Sequence, residues 1–363
     1  MAGKKNSSNT MLYAFIGILV ALFPVYKTYT SGDPLSYMYP NFLLFTSDRQ
    51  GAIDAWKNTI EVDRGVKRHH THIAEIEAKD YSFEALRQAT DNWRHPAVVR
   101  GLFANTKGVE KWGEKGYLAE KLPHKIPVVN NAKYGTLQND RSVKGFGEAY
   151  HEILDNKESK SYIFFPVKSR FNFNGTDEST HHQILQDDLN KLTLEDLELS
   201  RIWNGFGTSS HSTYVGSQII IGRGSNSTEA TTGTGWHCAA GNNFFVQVAG
   251  NKKWFFMDPE YSALMSPLRG GMVNMMTGSK GMGSLHPHIP LRYADIHPGD
   301  LLYNPDWEWH TIKNYEGLSI GCPLREFNIT LTARNNLQYT SIVLINKLLD
   351  GLGGYSIGGY PAA

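Results

Sequence analysis

Cysteine is scarce: the 363 residues include two, Cys238 and Cys322. That excludes a disulfide-built scaffold and a thiolate metal cage, and leaves either one disulfide or two separate thiols. Charge of one sign is lacking too. Lys and Arg number 36 against 35 Asp and Glu, a formal net charge of +1, so no concentrated basic face points to nucleic acid. An apolar content of 40% excludes a disordered chain, and no repeat of fixed period occurs. Long apolar runs are absent except for one, Met11 to Tyr26, with Lys4 and Lys5 ahead of it and Lys27 just after it.

That run is slightly short of the roughly 17–25 residues of a spanning helix. It has no polar face, as a core helix would, and no A-x-A-like cleavage site follows it. It reads as an uncleaved signal anchor over residues 1–30, and the lysines ahead of it put the N-terminus in the cytosol. The body is then expected in the lumen of the endoplasmic reticulum or Golgi, as a single-pass type II membrane protein. Three glycosylation sequons agree, at Asn174, Asn226 and Asn328.

What the chain has in plenty is aromatic residues and glycine, in short apolar runs bounded by turns, which favours a β-rich body. Residues 31–94 read as a helical stem, 95–335 as the main domain, and 336–363 as a C-terminal helix with a Gly/Tyr tail. Within the stem, Arg68-His69-His70-Thr71-His72 looks like a metal cluster, but a solvated segment is the favoured reading. Ser82 is placed to cap a helix running to about Trp93. Strands are expected over Pro96–Val99, Ser161–Val167, Ser217–Gly222, Leu301–Asn304, Trp309–Lys313 and Leu318–Phe327. Residues 112–155 and 183–199 have helical spacing. Asn243–Ala249 and Lys252–Met257 read as a hairpin across Gly250-Asn251. Residues 266–290 read as a long loop whose methionines suit a flexible lid over an apolar substrate. Gln338–Leu349 carries one apolar face, suited to pairing two subunits as a homodimer or to packing on its own domain. Short strands following gathered helices suggest a mainly β, double-sheet barrel decorated by helices.

The chemistry concentrates in two stretches. One contains Thr234, Gly235, Trp236, His237, Cys238 and Ala239, then Asn243, Phe244, Gln247, Gly250 and Lys252; the other runs from Pro298-Gly299-Asp300 to Glu308, Trp309 and His310. Together they resemble the JmjC-like cupin oxygenases, most closely the asparaginyl-hydroxylase branch, over about His95 to Arg325. The resemblance implies a double-stranded β-helix, Fe(II) held by His237 and His310, and 2-oxoglutarate held by Thr234 and Lys252. It also puts Asn243 in the family's N-F-x-x-Q-x-x-G run, and Tyr162 at the place of a further carboxylate-binding tyrosine. Imidazole nitrogens suit non-haem iron, and a buried lysine beside a hydroxyl suits a carboxylate.

One position departs from that pattern. Two residues after the first histidine the family has a carboxylate ligand; here Ala239 stands there. On a strand His237 and Ala239 share a face and Cys238 points away, so Cys238 is a poor substitute. Three readings stay open. A halide, chloride or bromide, fills the space at Ala239, as in the iron/2-oxoglutarate halogenases with H-x-A or H-x-G. Alternatively Glu308, two residues before His310, is the third ligand of a hydroxylase, unless it lies in the turn after Pro305 and faces solvent. In the third, the domain is a non-catalytic lumenal binding module. The leading expectation is oxidation of a C–H bond, with halogenation ahead of hydroxylation. The substrate, whether small molecule, lipid or protein, is not legible.

Overall fold

The computed structural model describes residues 69–130, 132, 141–164, 178–203, 212–224, 232–259, 261, 275–277, 289–315, 317–336 and 340. The N-terminal apolar run, the sequons at Asn174 and Asn226, most of the 266–290 stretch and the expected C-terminal helix lie outside them. Among the described residues no helix is long and apolar enough to cross a membrane. The chain divides into two compact units. One, residues 69–257 with 290–331, carries everything described below except one short strand and the part of the last helix from Thr332 onward.

Its strands are β1 (Thr71–His72), β2 (Ala74–Glu77), β3 (Ala97–Arg100), β4 (Lys125–Val129), β5 (Arg141–Gly145), β6 (Tyr162–Phe164), β7 (Ser212–Ser217), β8 (Ile220–Gly224), β9 (Gly233–Ala239), β10 (Asn242–Ala249) and β11 (Lys252–Met257). After β12 (Met275–Thr277), which belongs to the other unit, come β13 (Arg292–Ile296), β14 (Leu301–Asn304), β15 (Trp309–Asn314) and β16 (Gly317–Asn328). The helices are α1 (Phe83–Ala89), α2 (Lys107–Lys111), α3 (Tyr117–Lys121), α4 (Phe146–Asp155), α5 (Glu178–Asp196) and α6 (Ser200–Trp203). Helix α7 (Ile329–Asn335) starts where β16 ends.

Two sheets result. The first has the order β1-β13-β11-β15-β9; the second has β2-β3-β14-β10-β16-β8-β6-β4-β5, with β7 also pairing β16. The architecture is mainly β and of the cupin, jelly-roll kind. Burial follows the period of two. On β10, Phe244, Val246 and Val248 join an outer core with Leu301, Tyr303, Ile320, Cys322 and helix residues such as Tyr150 and Leu189. Phe245, between them, joins an inner core with Trp254, Phe256, Leu302, Ile312 and Tyr162. Buried on both faces, β10 is apolar from Phe244 to Ala249 apart from Gln247. Cys238 and Cys322 are both buried, and no disulfide joins them.

Several expectations hold. Ser82 caps α1, its hydroxyl accepting from the Ala85 N–H at 3.0 Å, and β14 spans Leu301–Asn304 as expected. Others are corrected. Strands β10 and β11 do not pair: β10 lies between β14 and β16, and β11 between β13 and β15. Gly250-Asn251 is therefore a corner between sheets. Gly250 has φ +65, and a Cβ there would meet the Leu318 carbonyl oxygen at 2.0 Å, so only glycine fits. Residues 71–77, expected in a helical stem, are strands that pair with β13 and β3. The 112–155 stretch holds β4 and β5 between its helices. Asn328 of the third sequon is mostly buried, its side-chain oxygen accepting from the N–H groups of Thr330 and Leu331, both at 3.1 Å, as the cap of α7.

Candidate metal and cosubstrate site

The site begins with an irregularity in β9. His237 lies opposite His310 and Thr234 opposite Ile312, with a register shift between the two pairs. Strand β9 thus spends three residues where β15 spends two. Residues three apart on a regular strand face opposite ways. The extra residue, a β-bulge, brings Thr234 and His237 to one face. That face is the inner one, because Ile312 belongs to the inner core and directly opposed residues share a side.

The first sheet then carries three inward rows. His237, His310 and Phe256 lie side by side, then Thr234, Ile312 and Trp254, then Asn314 and Lys252. The second sheet answers with Asn304, Asn243 and Arg325, paired across β14, β10 and β16.

The imidazole rings of His237 and His310 lie 4.1 Å apart between centroids, tilted by 57°. Each turns Nδ1 to the carbonyl oxygen two residues back, Gly235 and Glu308 respectively, at 2.8 Å in both cases. A carbonyl only accepts, so Nδ1 carries the proton and the Nε2 lone pair is left for a ligand. Burial pushes His237 down to about 4, with the positive charge of Arg325 adding to the effect. His310 is held well below its ordinary value by burial first, then by His237 and Arg325. Trp254 stacks on His310 at 5.3 Å and 23°, and the Asn304 amide nitrogen lies 3.3 Å from His310 Nδ1.

Lys252 is buried, and its ammonium donates to Asn314 Oδ1 at 2.6 Å. Asn314 donates in turn to Thr232 Oγ1 at 2.6 Å, and Thr232 to the Arg223 carbonyl. No carboxylate among the described residues offsets the lysine, and burial pushes it down to about 7. Thr234 Oγ1 and Asn243 Oδ1 are buried without a hydrogen-bond partner. Orphaned buried polar atoms are rare and cost about 1–3 kcal/mol each. Tyr162 is buried in the inner core, where desolvation raises its phenol pKa. Gly222 makes room for that ring: a Cβ there would lie 2.5 Å from Tyr162.

These residues fit the groups that the resemblance implies. Two neutral imidazoles with free Nε2 atoms suit Fe(II). An ammonium without a counter-charge beside a hydroxyl lacking a partner suits a carboxylate of 2-oxoglutarate, which Asn243 can serve only through its amide nitrogen, since its orphaned Oδ1 accepts. Among the described residues no group of three or more His, Cys, Asp or Glu is gathered to hold a metal ion. Ala239 is half-buried and brings no ligand. Glu308 neither faces solvent nor stands free. It is buried in the turn before β15, and its Oε1 accepts from Arg292 at 2.8 Å. Arg292 also reaches His95 Nδ1 at 2.8 Å.

Three members of the constellation escaped the sequence reading: Asn304, Asn314 and Arg325. The last residue of the expected strand Leu301–Asn304 and the alternation along Leu318–Phe327 were the available signals for Asn304 and Arg325. A comparison with curated proteins found no match. Residues 85–331 match the family model described as the cupin-like domain, which takes in both sheets apart from their first two strands. The chain belongs to the family of cupin-like domain proteins.

Proposed function

We propose that this protein is an Fe(II)- and 2-oxoglutarate-dependent enzyme that oxidises a C–H bond, with an exogenous halide in place of a third protein ligand. Its family includes 2-oxoglutarate oxygenases. The observation that carries the reading is the inner cradle, where Thr234, Asn243 and Lys252 hold unsatisfied or uncompensated polar groups beside two neutral histidines. A fold keeps such costs where a ligand relieves them.

His237 and His310 would hold the metal through Nε2, each ring fixed by its own backbone carbonyl. Lys252 would pair with one carboxylate of the cosubstrate, with Thr234, Asn243 and Tyr162 completing its seat. Iron with 2-oxoglutarate supplies the oxidising power, and the protein supplies position and exclusion of water. Trp254 and Phe256 wall the histidines with apolar surface. Ala239 contributes a methyl group and no charge, which favours halogenation over hydroxylation. The ion pair with Arg292 counts against Glu308 as a ligand. The N-terminal segment supports a membrane-anchored, lumenal setting as part of the same proposal.

The test is anaerobic titration of the full chain with Fe(II) and 2-oxoglutarate, reading the metal-to-ligand charge-transfer absorption with and without chloride. Chloride should shift the band of the parent and leave that of Ala239→Asp unmoved. A parent indifferent to chloride that loses iron in Glu308→Ala is a hydroxylase with Glu308 as ligand. A parent that takes up no iron is a non-catalytic binding module.

A further inference from the structure

Arg325 lies on the inner face of β16, directly opposite Asn243 on β10 and Gly216 on β7. Gly216 contributes no side chain to that flank of the guanidinium. Its Nε donates to Gln218 Oε1 at 3.1 Å, which anchors the group by one edge. No carboxylate among the described residues pairs with it. The acidic neighbour Glu326 follows it on the strand and takes the opposite face, level with Asn242. The side chain keeps some contact with solvent, yet burial lowers it to about 10, so it stays charged at neutral pH. Its field reaches both His237 and His310.

An unpaired cation this close to a metal site is expensive unless a ligand meets it. The charge count at the proposed site sharpens this. A dianionic cosubstrate balances the metal ion, and a single halide in the space at Ala239 offsets only one of the two cations Lys252 and Arg325. With Nε committed to Gln218, the two terminal nitrogens form a free fork. A fork of parallel N–H donors matches a planar carboxylate better than a spherical halide.

We propose that Arg325 seats a carboxylate of the substrate, so that the C–H bond attacked belongs to a small carboxylic acid or an acidic side chain held by this fork beside the histidine pair. The inference rests on the oxygenase reading for what happens next, but not for the binding itself. The alternative source of the carboxylate is the cosubstrate.

Propionate and propionamide serve as probes, observed by saturation-transfer NMR on the full chain. Each is measured alone and with Zn(II) plus saturating 2-oxoglutarate. Propionate should show transfer in both states and propionamide in neither. Arg325→Gln should weaken propionate at least tenfold and change 2-oxoglutarate binding by less than twofold, while Arg325→Lys keeps part of the propionate signal. Equal binding of acid and amide overturns the proposal, as does unchanged propionate binding in Arg325→Gln. Displacement of propionate by 2-oxoglutarate also overturns it, assigning the fork to the cosubstrate. If Arg325→Gln fails to fold, Gln218→Leu, which releases the anchored edge, carries the same comparison. Failure of the oxygenase reading shows separately, as a parent that binds propionate through Arg325 but does not bind 2-oxoglutarate.

Discussion

At the scale of single residues, Lys252 is the side chain whose placement costs most and whose purpose is most easily tested. On a surface hairpin it would be an ordinary solvated charge; at the corner between the sheets it points inward and lies within a wholly buried row. Its folded value, about 7, lies below the ordinary 10.5. Across that window the unfolded chain binds a proton that the folded chain does not. Stability of the ligand-free protein therefore rises as pH climbs from about 7 towards 10.5, and is lowest below it. Thermal melts of the parent from pH 6.5 to 10 should show this slope, and Lys252→Met should remove it while raising the melting temperature at pH 7. The same substitution should weaken 2-oxoglutarate at least tenfold, since a charged hydrogen bond is worth about 1.5–3 kcal/mol. A carboxylate arriving at Lys252 restores its ordinary charge. Binding at pH 8 should then take up a proton, visible as calorimetric heats that change with buffer ionisation enthalpy. Trp254, stacked on His310, offers a second readout through its emission.

At the scale of elements, legibility divided along physical lines. Strand β14 and the cap at Ser82 announced themselves because alternation and capping are local. The pairing of β10 and β11 did not. Gly250-Asn251 marks a change of direction, and a hairpin and a corner between sheets require the same turn chemistry. Strand β4 was hidden by Pro127 and by a stretch with helical spacing. Of the site, His237, His310, Thr234 and Lys252 were legible only through their offsets in the resembling family, because no local rule tells that β9 bulges. The strand start at Trp309 was legible, and so was the turn reading of Glu308; what escaped was that the turn buries its carboxylate against Arg292 instead of facing it to solvent. Arg325 escaped because a charge in a strand signals solvent unless the other face is known to be packed. The seat of Tyr162 yields an element-level prediction. Gly222→Ala on β8 puts a methyl 2.5 Å from the Tyr162 ring and 2.7 Å from Thr232 Oγ1. Overpacking of this kind costs about 1–3 kcal/mol. It should lower the denaturation midpoint and also weaken 2-oxoglutarate, because Thr232 heads the chain of hydrogen bonds that ends at Lys252. Lost stability with unchanged cosubstrate affinity would show that Tyr162 and Thr232 support the fold alone.

For the molecule as a whole, the two sheets meet across a gap in which apolar and polar side chains share the same rows. Phe245, Trp254, Phe256 and Leu302 supply the apolar part. For the polar part the first sheet offers Thr234, His237, Lys252 and His310, and the second offers Asn243, Asn304 and Arg325. Several of these groups have nothing in the described structure to bind. A bound metal and cosubstrate would join the two sheets there, and by linkage a ligand at a hundred times its Kd adds about 2.7 kcal/mol to the folded state. Hydrogen exchange should accordingly slow on β9, β11 and β15 and also on β10 and β16 when Fe(II) and 2-oxoglutarate are added anaerobically. Protection confined to the first sheet would place the ligand against one wall only. Taken into a cell, the proposed site would tie the survival of the protein to its diet. A copy short of iron or of 2-oxoglutarate would open along this seam more often and meet proteases sooner, so abundance would follow nutrient supply with no regulator to report it.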